Sequence, residues 1–265
     1  MSEIPANLVK QLREATGAGF MDCKRALEET NGDLDAAQKL LRERGIAQAG
    51  KRSGRETTEG IVLSTVAGPV GALVAVGCET EPVARNAEFI AFAEKVLEAV
   101  EEQGAGAGDT LDEERVEVVA KLGENVVVRG ATRLEATNGE LLAEYVHPPA
   151  NKIGVLLKAR GDNPAAARRL AMHISFANPR FALREDVPDD EIAAERAIYE
   201  KQPDLEGKPD DVRAKIVDGM LAKRFFAETV LLDQTWIHDP GKSVGEALSE
   251  EGLEIVEFQR FALAE

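Results

Sequence analysis

The chain has 265 residues, 44% of them hydrophobic, with 48 acidic side chains against 32 basic ones and a net charge of −16. That length predicts two or three packed units, and the acidic balance repels a nucleic-acid partner while suiting solubility or a basic protein partner. The lone pair of distant cysteines, Cys23 and Cys78, excludes a disulfide framework and fits a reducing compartment. Met1-Ser-Glu-Ile-Pro-Ala6 is too polar for a signal segment and no apolar run approaches membrane-spanning length, so a soluble, cytoplasmic protein is expected.

Residues 5–45 read as three short helices. Leu8, Leu12 and Ala15 set the first apolar face, Gly17-Ala-Gly19 breaks it, and Cys23, Ala26 and Leu27 resume it. Asn31-Gly-Asp33 is a turn whose aspartate caps a third helix, marked by Leu34, Ala37, Leu40 and Leu41 and expected to stop near Gly45. Ala49 to Thr58 is polar and basic, without apolar periodicity, and reads as a linker.

The middle of the chain holds a repeat in pattern. Two strands, Glu59 to Leu63 and Gly71 to Val76, flank the hairpin turn Ala67-Gly-Pro-Val-Gly71, and a helix comes next with Phe89, Ile90, Ala93, Val96, Leu97 and Val100 on one face. A second pair, Leu142 to Val146 and Ile153 to Lys158, flanks His147-Pro-Pro-Ala-Asn151 and again leads into a helix. An offset of 82 residues lays Pro82 over Pro164, with Asn163 as the cap of the second helix. Thr80-Glu81-Pro82-Val83 therefore sits at an exposed strand-to-helix corner. Between the halves, Glu102 to Asp109 reads as a flexible loop, Leu111 to Leu122 as a helix and Asn125 to Arg129 as a strand. Pro188 to Lys201 and Pro209 to Arg224 read as an antiparallel, charged and projecting helical hairpin. Ser243 and Glu246 match a capping box, and Ile255 to Phe261 alternates as a last strand.

Catalytic chemistry finds little support. His147, His173 and His238 are scattered without metal-ligand spacing, His173 reading as packed in a helix and His147 as exposed at a strand end. Pro240-Gly-Lys-Ser243 ends like a phosphate-binding loop, but Trp236 stands where the first glycine is needed. Cys23 reads as packed, whereas Cys78, beside the corner, is expected to be partly exposed. No enzyme, metal or cofactor is expected.

Leu8 to Leu27 continuing into Asn31-Gly-Asp33, together with Glu79-Thr-Glu-Pro-Val-Ala-Arg-Asn86, Ala171-Met-His173 and Leu232-Asp-Gln234, closely resembles the bacterial translation elongation factor Ts family over essentially the whole chain. The resemblance implies an α+β fold: an N-terminal three-helix module of the ubiquitin-associated type, then a core of two duplicated hairpin-and-helix subdomains with a projecting helical hairpin. The division expected is 1–48 for the module, 49–58 for the linker, 59–139 and 140–265 for the two subdomains, and 188–224 for the hairpin. It further implies guanine-nucleotide exchange on the GTPase elongation factor Tu, with Thr80, Glu81, Pro82 and Val83 matching the segment that dislodges magnesium. Arg13, Phe20 and Met21 match contacts to the nucleotide-binding domain, and His147 matches a contact to another domain of that partner. Glu81 and Pro82 depart from the family's usual aspartate and phenylalanine, so the aromatic wedge is missing, and Pro82 equally suits a first helical turn. The short stretch after the last strand leads us to expect no C-terminal helical extension. The competing function class is a ubiquitin-associated-type adaptor without exchange activity.

Overall fold

The structure is a computed structural model and describes residues 4–263. Three helices open it: α1 (Ala6–Thr16), α2 (Phe20–Glu29) and α3 (Leu34–Arg52). They close on a small core of Val9, Leu12, Cys23, Ala26, Leu27 and Ala37. Gly17 ends α1 in the left-handed conformation, and the Asp33 carboxylate accepts the Ala36 amide to start α3.

The first sheet has the order β1 (Glu59–Ala67), β2 (Val70–Cys78), β3 (Val126–Glu135), all antiparallel. The second repeats that plan with β4 (Glu140–Val146), β5 (Ile153–Arg160) and β6 (Glu254–Ala262). In each, a hairpin places the second strand at the centre, helices come next, and the chain returns as the third strand. Each central strand also carries a register irregularity against its third strand near its C-terminal end, at Ala75/Val76 and at Lys158/Ala159. The duplication legible as a sequence offset is thus a duplication of topology.

The two sheets pack face to face through Val62, Leu73, Ala75 and Leu134 on one side and Leu156 and Leu263 on the other. The outer face of the first sheet, Ala72, Val74, Val76 and Cys78, is covered by α5 (Ala87–Gln103) through Phe89, Phe92, Ala93, Val96 and Val100, and by α6 (Asp112–Leu122) through Val118 and Val119. The outer face of the second is covered by α7 (Pro164–Ala177). Burial on both faces explains why β2 and β5 are near-continuous apolar runs. Contact between the sheets is close enough that glycine is required: a Cβ on Gly154 would lie 2.5 Å from Val62 Cγ1, and one on Gly130 would lie 2.6 Å from the Phe261 ring.

Two further helices, α8 (Asp189–Tyr199) and α9 (Asp210–Met220), form the hairpin. A π-helical turn, Leu221–Phe226, and a last turn, α10 (Ala227–Thr229), lead back to the core. The hairpin has its own apolar cluster of Val187, Tyr199, Leu205, Val217, Leu221, Phe225 and Val230, and its helices are tied by an Arg196–Asp218 ion pair of 2.7 Å. Finally α11 (Val244–Glu250) starts at the Ser243–Glu246 capping box expected from sequence.

Three expectations are corrected. The third helix does not stop at Gly45 but runs to Arg52. Gly45 is a contact point: a Cβ there would sit 2.8 Å from the Ala120 Cβ, so its bare backbone lets α3 lie tightly against α6. Residues expected in the linker consequently continue the helix, and Ala49 joins the core beneath α5 and α6. The segment expected as a flexible loop contains a 3-10 helix, Ala105–Leu111, with Ala107 and Gly108 buried.

Candidate functional site

The corner is shaped by the strand before it and the helix after it. Cys78 ends β2, Thr80 turns the chain with extended backbone, and one helical turn comes next, α4 (Glu81–Ala84). Pro82 takes the second position of that turn, where its missing N–H leaves no bond unmade. The helix then breaks. The Ala84, Arg85 and Asn86 amides bond back to the Thr80, Glu81 and Val83 carbonyls, and the Asn86 side chain accepts the Glu88 amide at 2.8 Å to begin α5. In the second half α7 runs unbroken from Pro164. The extra turn is therefore what the first copy adds, and it carries Glu81 and Pro82 exposed to solvent. Val83 is half-buried against the core of the first sheet and anchors the turn. Glu81 pairs with Arg85 across one helical turn at 2.5 Å, an exposed pair contributing about 0.3–0.5 kcal/mol.

Behind the corner lies the turn that joins α6 to β3. Gly123 ends α6 in the left-handed conformation, and Glu124 comes next. Its carboxylate accepts the Thr80 amide at 3.0 Å and the Thr80 hydroxyl at 2.6 Å. Reciprocally, the Glu79 carboxylate accepts the Asn125 amide at 2.7 Å. Arg55 approaches Glu79 at 3.3 Å, while its carbonyl accepts the Asn125 side-chain amide at 2.9 Å. Three chain segments far apart in sequence thus meet at the base of the corner.

Cys78 lies within this base, not partly exposed as its position suggested. It is fully buried and its thiol donates to the Thr80 carbonyl at 3.3 Å. Burial, reinforced by the Glu124 charge, pushes its pKa up to about 12, so it remains a neutral thiol.

The other expected residues are reached through intermediates. Phe20 and Met21 open α2 with about half of their surface exposed, 50% and 59%. Arg13 lies on the adjacent α1, and with Lys10, Glu14 and Phe20 it lines a shallow concavity. The Gly17 turn beside them rests on the Lys121 side chain, which pairs with Glu88 of α5 at 3.2 Å. Those contacts connect the module to the helix behind the corner. His147 is exposed on the β4–β5 hairpin, with Nδ1 3.0 Å from the Tyr145 hydroxyl. That hairpin is joined to β1 by the Val62 amide on the Asn151 carbonyl at 2.7 Å and by a Lys152–Glu59 pair of 2.6 Å. Glu59 in turn faces Cys78 across the sheet.

His173 is structural, as expected. It is fully buried, its Nε2 lies 2.9 Å from Gln234 Oε1, and its Nδ1 accepts the Ile237 amide at 3.4 Å. Burial lowers its pKa and keeps it neutral. Among the described residues no group of three His, Cys, Asp or Glu side chains is arranged to hold a metal ion, and no helix is long and apolar enough to cross a membrane.

Comparison with known proteins fixes the family. The model of "Elongation factor TS" matches residues 79–265, which begins at the base of the corner. The chain is 40% identical to Elongation factor Ts of Methylococcus capsulatus over 99% of its own length and 92% of that protein. It is 39% identical to the Elongation factor Ts proteins of Pasteurella multocida and Citrobacter koseri, over its whole length and 93% of each. The chain belongs to the elongation factor Ts family. Within this family member, sequence reasoning located the corner but missed Glu79 and Glu124, which brace it. No local signal marks them, since their partners lie 46 and 44 residues away.

Proposed function

We propose that this translation elongation factor is a guanine-nucleotide exchange factor: it binds elongation factor Tu in its GDP form and promotes GDP release by disturbing the magnesium and phosphate site. The observation that supports the mechanism is the braced and exposed turn Glu81-Pro82. A rigid convex element loses little conformational freedom when it enters a partner's cleft. Displacing a cation from a bound diphosphate removes the counter-charge that retains it. By linkage, a protein that binds the empty GTPase better than the loaded one weakens nucleotide binding by the same factor. A 10⁴-fold shift requires about 5.5 kcal/mol of differential binding. One small turn does not supply that alone, so Arg13, Phe20 and Met21 on the module and His147 on the second sheet share it as docking contacts.

With no aromatic ring at the corner, Pro82 is the exposed apolar group that presses on the partner, and Val83 is its anchor. Stopped-flow release of a fluorescent GDP from elongation factor Tu tests this assignment. Pro82→Ala and Val83→Ala are expected to slow release at saturating factor while complex formation survives. Unchanged rates in both variants would move the mechanism away from the corner.

A further inference from the structure

We propose that Glu124 is a positioning residue for nucleotide release: its carboxylate, by holding Thr80 through both the backbone amide and the hydroxyl, sets the angle at which the corner meets the GTPase. The inference rests on the exchange reading and adds to it a residue outside the corner itself.

Thr80 occupies the N-cap position of α4, where a threonine hydroxyl ordinarily accepts an amide of the first turn. Here no such cap bond forms. The hydroxyl donates instead to Glu124 at 2.6 Å, and the Thr80 amide donates to the other oxygen of the same carboxylate at 3.0 Å. Local self-capping is replaced by a two-point grip from a distant segment. Bonds to an ionised carboxylate are roughly twice as strong as neutral ones, and two of them fix orientation as well as distance.

The duplicated half provides an internal comparison. There the N-cap residue is Asn163, which the 82-residue offset lays over Glu81, one position past Thr80, and it does cap its own helix, accepting the Ala166 amide at 3.1 Å. It too donates to a glutamate just ahead of the returning strand, Glu251, at 2.8 Å. That bond is side chain to side chain, and Glu251 also pairs with Arg169 at 2.5 Å. Both halves therefore tie the cap to the segment before the third strand. Only in the first half has the tie moved onto the backbone of the turn, and only there does the turn project.

Glu124 is itself firmly held. It sits just past α6, which is pressed against α3 at Gly45–Ala120 and receives the Arg52 guanidinium on the Val119 carbonyl at 3.3 Å. The reciprocal bond from the Asn125 amide to Glu79 and the approach of Arg55 to Glu79 close the junction from the other side. The corner is thus referenced to the same helix that seats the N-terminal module. Docking of the module and aim of the corner share one rigid support.

The test measures GDP release from elongation factor Tu across a titration of full-length factor, separating the saturating rate from the half-saturating concentration. Glu124→Ala is expected to lower the saturating rate roughly tenfold, the loss of about 1.4 kcal/mol of transition-state stabilisation, with the half-saturating concentration within about twofold of the parent on the same scale. Glu124→Gln, which keeps an acceptor for the amide and a partner for the hydroxyl, is expected to recover most of that rate. Thr80→Val is expected to lose part of it and Thr80→Ser to restore it. The double variant Thr80→Val with Glu124→Ala should be no slower than Glu124→Ala alone. A merely structural role would lower the thermal midpoint without this split or this rescue. If Glu124→Ala fails to fold, Glu124→Gln and the Thr80 variants carry the test. Parent-like release by Glu124→Ala while Pro82→Ala is slow would overturn the proposal and leave the exchange reading standing, as would an effect confined to the half-saturating concentration. Parent-like release by Pro82→Ala, Val83→Ala and Glu124→Ala together would overturn the proposal and move the mechanism away from the corner, whereas GDP release that the parent factor itself does not accelerate would remove the exchange reading.

Discussion

Replacing Gly154 by alanine probes how closely the two sheets approach. Gly154 lies in β5, and the added Cβ would meet Val62 Cγ1 at 2.5 Å and Leu73 Cδ1 at 3.0 Å, both on fully buried side chains of the opposite sheet. Ordinary contact between such carbons is about 3.5–4.0 Å, so the sheets must separate by about 1 Å or the neighbours must leave their rotamers. Overpacking of this kind costs about 1–3 kcal/mol. Removing a glycine from a strand returns about 0.5–1 kcal/mol of conformational entropy, which at the middle of both ranges leaves a net loss of about 1.3 kcal/mol. For a chain of this size that lowers the thermal midpoint by about 3–5 °C. Thermal unfolding measured by far-UV circular dichroism, with Trp236 fluorescence reporting the core beneath α7, provides the readout. Adding Val62→Ala removes the nearest clashing methyl, so the double variant should lose at least about 0.5–1 kcal/mol less than the two singles combined. A Gly154→Ala protein at least as stable as the parent would refute the close approach and the reasoning built on it.

The site itself leads to two more expected outcomes. Because burial raises the Cys78 thiol to about 12, the folded and unfolded chains bind the same proton below about pH 8.5. Above that the unfolded thiol ionises first, so stability falls as pH rises from about 9 toward 12. Urea titrations across that window should show a shallower alkaline decline in Cys78→Ala, and an identical slope would exclude the thiol as its source. Phe20→Ala together with Met21→Ala removes two exposed apolar side chains from the start of α2. Burying each contributes about 1.5–3 kcal/mol, so the half-saturating concentration for GDP release should rise at least tenfold with the thermal midpoint nearly unchanged; a parent-like titration would remove the module from the interface.

The elements that sequence located were those whose causes are local. The 3.6-residue spacing of Phe89, Ala93, Val96 and Val100, the caps at Asp33, Asn163 and Ser243, and the hairpin turns act within a few residues of one another. The corner was legible for the same reason, as an apolar run ending in polar residues and a proline. What escaped depends on distant partners. Gly45 has the composition of a helix stop, and only Ala120 on another helix explains why the helix continues through it. Cys78 precedes a polar run, so its burial is set by α5 and β3 rather than by its neighbours. β3 extends to Glu135, beyond the apolar residues that marked it, because pairing with β2 carries Gly130 and Arg133 into the ladder. The break after Ala84 did have a local sign, since Asn86 two residues before Glu88 is cap chemistry, but the strong apolar period downstream obscured it.

The layered arrangement has a consequence for how the two halves depend on each other. Each sheet is apolar on both sides, so either hairpin-and-helix half alone would leave its inward surface, with Leu73 and Ala75 or with Leu156, open to water. The short connection between β3 and β4 keeps the two surfaces at high effective concentration, so that each half serves as the other's cover. The projecting turn of one half and the plain helix start of the other lie outside that shared layer, so they differ without exposing it.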